Sequence, residues 1–107
     1  MSTRVLIRPR AQADLDDTAE YLGQDNPAVA RRFLAATEEA FQQLLATPGL
    51  GRVREYLNPK LTGLCSWRIR GFEKWLAFYR STDDGIDVVR ILHGARDLGP
   101  LLSEDDA

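Results

Sequence analysis

The chain has 107 residues, a formal net charge of −2, 44% hydrophobic and 28% charged side chains. One domain fits that length, and the balance is that of a folded globular protein, which excludes a disordered tail protein. There is no apolar run long enough to cross a bilayer and no basic-then-apolar leader, so a cytoplasmic location is expected, and the single cysteine, Cys65, agrees with a reducing compartment.

Arg4-Val5-Leu6-Ile7-Arg8 reads as a short strand stopped by Pro9, which has no backbone N–H to give to a ladder. A helix is predicted over residues 10–23, with Ala11, Leu15, Ala19 and Leu22 at helical spacing and Gly23 as its stop. Asp14, Asp16, Asp17 and Glu20 crowd its early and middle turns, where negative charge suits the helix dipole. Asp25-Asn26-Pro27 then supplies capping side chains followed by proline at the first helical position, and a second helix runs to about Ala46. Ala30, Phe33, Leu34, Thr37, Phe41, Leu44 and Leu45 make its apolar stripe, and Thr47-Pro48-Gly49 ends it. The short link between the helices implies an antiparallel hairpin, with Tyr21 and Phe33 packing toward a sheet.

Residues 48–66 are punctuated by Gly49, Gly51, Pro59 and Gly63, with a short edge strand expected at Val53-Arg54-Glu55-Tyr56 and cations at Arg52, Arg54 and Lys60. Residues 67–97 carry the clearest strand chemistry. Trp67 and Ile69 alternate with Arg68 and Arg70; Trp75, Ala77 and Tyr79 alternate with Leu76, Phe78 and Arg80. Asp84-Gly85 signals a hairpin turn. In the last strand both parities are apolar, Ile86, Val88 and Leu92 against Val89 and Ile91, as for an interior strand covered on both sides, a partner protein being one candidate for the cover. Residues 98–107 form a tail with three leucines and an acidic end.

The charge is unevenly spread. Residues 1–47 hold five basic and seven acidic side chains, residues 48–96 nine and five, and residues 97–107 none and four. The sheet half is therefore mildly basic, enough for phosphate or an acidic peptide but low for a dedicated nucleic-acid binder. One histidine and one cysteine give no zinc site, the early aspartates lack the glycine and terminal glutamate of a calcium loop, and no Gly-rich phosphate loop opens a helix, so no metal and no cofactor are expected.

Three stretches together carry a family resemblance: the Ala11-to-Leu15 helix with Asn26-Pro27-Ala28 opening the second; Thr47-Pro48-Gly49 with Gly51-Arg52; and Leu76-Ala77-Phe78-Tyr79-Arg80, then Gly85-Ile86 and the ending His93-Gly94-Ala95-Arg96-Asp97. They span nearly the whole chain, which resembles the ParE branch of the RelE/ParE toxin superfamily of bacterial type II toxin–antitoxin modules. The resemblance implies one toxin domain over residues 1–97, in order β-α-α-β-β-β. Its class would be α+β, two layers, with the helical hairpin on an antiparallel sheet of four to five strands and the first strand beside the last. It further implies a growth-inhibiting toxin silenced by a cognate ParD-like antitoxin, a small acidic-tailed DNA-binding protein whose C-terminal region wraps apolar grooves. ParE-like members poison DNA gyrase by binding, whereas RelE-like members cleave messenger RNA on the ribosome; a non-toxic protein-binding role for the fold is a third reading.

A metal-independent nuclease needs a base, a cation for the phosphorane charge and an acid. His93, Arg80, Arg96 and Tyr79 are the candidates, the last also for base stacking. RelE-type nucleases, however, usually carry a tyrosine or histidine soon after the last strand together with extra lysines, and here no aromatic residue follows Tyr79. Structural roles stand beside these: His93 hydrogen-bonding at a strand end, Arg80 paired with Asp97 or Glu73, Arg96-Asp97 fixing a turn, Trp67 and Trp75 in the core. As a binding surface for target or antitoxin, Arg68, Arg70, Arg80, Trp75 and Arg96 are the expected residues.

Overall fold

The computed structural model describes residues 4–53 and 61–95; Arg54–Tyr56, Arg96, Asp97 and the tail lie outside the described residues. The chain runs β1 (Arg4–Ile7), α1 (Pro9–Gly23), α2 (Pro27–Ala46), a 3-10 turn (Pro48–Leu50), β2 (Arg52–Val53), β3 (Cys65–Ile69), β4 (Phe72–Thr82) and β5 (Gly85–His93). The strands form one sheet in the order β1-β5-β4-β3-β2. Two helices on a five-stranded sheet match the expected two-layer α+β class.

The direction of β1 corrects the expectation of a purely antiparallel sheet. β2 to β5 form an antiparallel meander, but β1 lies parallel to β5, Arg4 opposite Gly85 and Ile7 opposite Val88. The reason is the number of turns in the chain. Each element from β1 to β5 reverses the one before it, and six reversals bring β5 back to the direction of β1.

Both helices start at proline in the first turn, where its missing N–H costs nothing. Asn26 caps α2, its side-chain oxygen accepting from Ala28 N at 3.0 Å. Gly23 ends α1 without a left-handed cap, since the next residue, Gln24, is still right-handed (φ −57°, ψ −43°). What favours a glycine there is the approach of α2: a β-carbon on residue 23 would sit a tight 3.0 Å from Cβ of Ala30.

The main core lies between helices and sheet and joins Ala11, Leu15, Ala19, Phe33, Phe41 and Leu44 to Ile69, Ala77, Tyr79, Ile86, Val88 and Ile91. Phe33 is fully buried and meets Phe72 edge-on at 5.3 Å. Tyr21 and Leu34, expected in this layer, are 65% and 44% exposed. Both sit on the outer side of the hairpin, because the inward arc of each helix is already filled by the residues just named.

β5 is interior, as its two apolar parities imply, and residues 85–92 are all buried. The cover on its far side is not left to a partner. Leu61 and Leu64 fold over Leu76, Phe78, Val89 and Leu92 in a second core. Parity changes along the strand because the β4–β5 register shifts between Phe78 and Tyr79, which pair with Arg90 and Val88 and leave Val89 as the extra residue. Val88 and Ile91 therefore share the helix side, while Val89 and Leu92 share the other.

Two aspartates clasp β5 to the first third of the chain. Arg8 grips Asp87 with Nε–Oδ1 at 3.0 Å and Nη2–Oδ2 at 2.8 Å. Where β1 has ended, Asp14 of α1 takes over the open edge: it accepts from Arg90 Nε at 2.8 Å, Arg90 Nη2 at 3.0 Å and the backbone N–H of Ile91 at 2.9 Å. Asp14 thus serves as a substitute strand edge, a role beyond the helix-dipole one expected from its position.

Candidate functional site

On the face away from the helices, residues of one parity on β2, β3 and β4 line up in rows across the sheet. Arg52 lies opposite Ser66, and Arg68 opposite Leu76. Two clefts open there and share Arg68 and Leu76. One, of about 330 Å³, is lined by Leu50, Arg52, Ser66, Trp67, Arg68 and Leu76. The other, of about 560 Å³, is lined by Arg68, Glu73, Lys74, Leu76, His93, Gly94 and Ala95. Together they make a groove from the β2 edge to the end of β5, with Leu76 in its floor and Arg52, Arg68 and Lys74 along it. Glu73 is the one carboxylate among these lining residues. Its carboxyl is held below the usual range chiefly by the backbone N–H of Gly71, which it accepts at 2.8 Å, with Arg68 and Arg70 adding to the effect.

Of the residues singled out from sequence, Arg68 lies in this groove and His93 at its end, whereas Arg70 is exposed on the turn into β4. Trp75 is half-buried on the opposite face, edge-on to His93 at 4.9 Å and to Phe33 at 6.2 Å. Trp67 is likewise half-buried and packs against the main core. Arg80 Nε points to the carbonyl of Thr62 at 3.4 Å, and the carboxylate of Glu73 turns instead to Gly71. Arg96 and its neighbour Asp97 lie outside the described residues.

His93 holds the turn after β5. Its Nδ1 accepts from Ala95 N at 3.0 Å, so the neutral ring carries its proton on Nε2. Tyr79 is fully buried, with no face open to a base. Its hydroxyl donates to the carbonyl of Pro48 at 2.6 Å and accepts from Gly51 N at 2.9 Å, so it pins the Pro48–Gly51 turn to the sheet. Burial is the main cause that pushes the Tyr79 hydroxyl above its ordinary pKa, and it does the same to the neighbouring Cys65 thiol.

A raised pKa in the folded state has a definite sign. Tyr79 contributes stability that is complete below the ordinary tyrosine value near 10 and is lost as the pH rises through its folded value. Tyr79→Phe is expected to cost about 1–3 kcal/mol at neutral pH, because it strips partners from Gly51 N and Pro48 O. It should also flatten the alkaline limb of stability. Urea melts at pH 7 and above pH 10 check both; a wild-type alkaline limb retained in the variant would exclude the assignment.

Sequence reasoning missed Lys74, Leu76 and Leu50 as groove residues. Lys74 and Leu76 share a parity with Phe78, which was the available signal; that Leu76 faces Arg68 across the ladder is set by the register. Leu50 carried none, since it reaches the groove only through the turn that Tyr79 holds.

A helical hairpin covering one face of a five-stranded mixed sheet, with a basic groove on the other, defines a small two-layer α+β domain. The profile of the family described as "ParE toxin of type II toxin-antitoxin system, parDE" matches residues 5–98. The chain therefore belongs to the ParE toxin family of type II toxin–antitoxin systems. Among solved structures it is similar to a chain of the "Chromosomal ParDE TA system from P. aeruginosa", at 24% identity and a TM-score of 0.67, covering 87% of this chain and 95% of that one. It is also similar to a chain of the "YoeB-YefM complex from Staphylococcus aureus", at 20% identity and a TM-score of 0.54, covering 87% and 98%. At these identities both comparisons concern the fold. No curated protein matches the chain significantly.

Proposed function

We propose that this ParE-family toxin stops growth by binding DNA gyrase in the cytoplasm, turning over no substrate, and that a cognate ParD-like antitoxin neutralises it. The observation that carries the reading is how the candidate nuclease residues are spread. His93 lies opposite Trp75 on β4. Arg80 is five residues further along that strand, about 16 Å away at the usual rise. Tyr79 is buried and its hydroxyl is committed to Pro48 and Gly51. A base, an acid and a phosphate-holding cation must meet within hydrogen-bond reach of one ribose phosphate, and the spread of His93, Arg80 and Tyr79, the candidates among the described residues, favours binding over that chemistry.

A binding mode asks for less. A mildly basic surface with an apolar floor suits an extended antitoxin segment that sets leucine-like side chains on Leu76 and Leu50 and acidic ones on Arg68, with Arg70 and Arg80 at the margins. The purified chain is expected to inhibit gyrase supercoiling, to leave ribosome-bound messenger RNA intact, and to lose its effect when the product of the neighbouring gene is added. Ribosome-dependent cleavage that disappears in His93→Ala or Arg80→Ala would replace this reading with the nuclease one.

A further inference from the structure

The smaller of the two clefts has the make-up of a ligand site in its own right: we propose that it binds the phosphoryl group of a small phosphate monoester through Arg52, Arg68 and Ser66. The strand register brings these three together. Arg52 lies opposite Ser66, and Arg68 follows two residues along β3 on the same face. The two arginines are therefore diagonal neighbours, with β-carbons roughly 7 Å apart. Both are exposed, and neither guanidinium is hydrogen-bonded or ion-paired to another described residue. Glu73, whose charge Arg68 feels, lines only the larger cleft and is turned to Gly71 N. Among the described residues no carboxylate lines the smaller cleft. Two like charges left side by side repel, and an anion that bridges them relieves the repulsion.

Charge and donor count select the anion. A phosphate monoester carries about −1.5 to −2 near neutral pH and three acceptor oxygens, which matches two guanidiniums. A carboxylate brings a single charge and leaves most of the N–H donors of two arginines unused. Each guanidinium is a planar fork suited to bidentate contact with phosphate. Ser66 adds a hydroxyl at the base of the cleft and is 5% exposed.

Size and lining select the rest of the ligand. The cleft holds about 330 Å³, at the small end of the range for small-molecule sites. Leu50 and Leu76 give it apolar walls beside the cations, and Leu50 reaches its place through the turn that Tyr79 pins. A phosphate joined to a compact ring fits such a cleft. The site shares Arg68 with the surface assigned above to an acidic antitoxin side chain, so a phosphorylated small molecule bound there competes with that side chain.

The experiment is calorimetric titration of the full chain, at one ionic strength, with phenyl phosphate, inorganic phosphate and benzoate. Phenyl phosphate is expected to bind at least about tenfold more tightly than benzoate, which carries the same ring on a carboxylate, and more tightly than inorganic phosphate, which lacks the ring. Arg52→Gln and Arg68→Gln should each weaken phenyl phosphate binding at least about tenfold. Arg68→Lys, which keeps the charge and loses the fork, should fall between Arg68→Gln and wild type. Arg31→Gln, at an exposed position on α2, should leave the affinity unchanged. Benzoate binding as tightly as phenyl phosphate would overturn the proposal, and so would no detectable binding of phenyl phosphate at millimolar concentration. A loss in Arg31→Gln equal to that in Arg68→Gln would overturn it too, by showing diffuse attraction to the whole chain. Neither gyrase nor antitoxin enters the measurement, so this proposal and the functional one fail separately.

Discussion

Asp14→Ala is expected to cost about 3–5 kcal/mol of folding stability, the range for removing one partner of a buried ion pair. Three hydrogen bonds converge on this carboxylate, two from the Arg90 guanidinium and one from the backbone N–H of Ile91. The side chains of Arg90 and Asp14 are only 7% and 14% exposed, so water replaces the lost contacts poorly. Asp14→Asn keeps an acceptor for Ile91 while removing the charge, and should fall between alanine and wild type. Asp17→Ala, on the exposed side of the same helix, should lie within about 0.5 kcal/mol of wild type. Urea midpoints at pH 7 measure all three; an Asp14→Ala loss no larger than that of Asp17→Ala would show that the strand edge is sealed by something else.

The order of elements could be read from the chain because its signals are local. Asn26-Pro27 opens α2 through a side chain two residues from its acceptor, and the inward stripe of α2 buries Phe33, Thr37, Phe41 and Leu44 as its spacing requires. The interior position of β5 followed from two apolar parities. What could not be read are features set by distant partners. Nothing near Asp14 in sequence announces Arg90, 76 residues away, and nothing near Tyr79 announces Pro48 and Gly51. The extra residue at Val89 also defeats simple alternation: it moves Ile91 to the helix side and Leu92 to the other, where Leu61 and Leu64 await it. In the groove, Arg68 was legible from alternation within β3, but that Arg52 and Lys74 line the same groove needed the strand register. Which side chains of different strands share a groove is a property of the pairing, and a single strand does not contain it.

Gly85→Ala is expected to be the most damaging added methyl among the described glycines. The sequence suggested Asp84-Gly85 as the turn, but the register places the loop one residue earlier. Asp83 and Asp84 connect Thr82 to Gly85, which pair with each other, and Gly85 N donates to Thr82 Oγ1 at 3.1 Å. Gly85 is the first residue of β5 and also the partner of Arg4 in the parallel ladder. Its φ of +154° lies outside the range that L side chains favour, and an added β-carbon would overlap the carbonyl oxygen of Arg4. That obstacle is backbone, fixed by the bond from Arg4 N to Asp84 O at 2.9 Å, so it cannot swing aside as a side-chain tip would. Relief requires β1 to separate from β5 at its start, with loss of the ladder that leads into Arg8–Asp87. The cost should therefore reach or exceed about 3 kcal/mol, the upper end of ordinary overpacking. Hydrogen exchange should show the β1–β5 ladder opening selectively, with Ile86 and Val88 N–H losing protection before the β3–β4 ladder does. Uniform loss across the sheet, or wild-type stability, would mean that β1 is not held at this point.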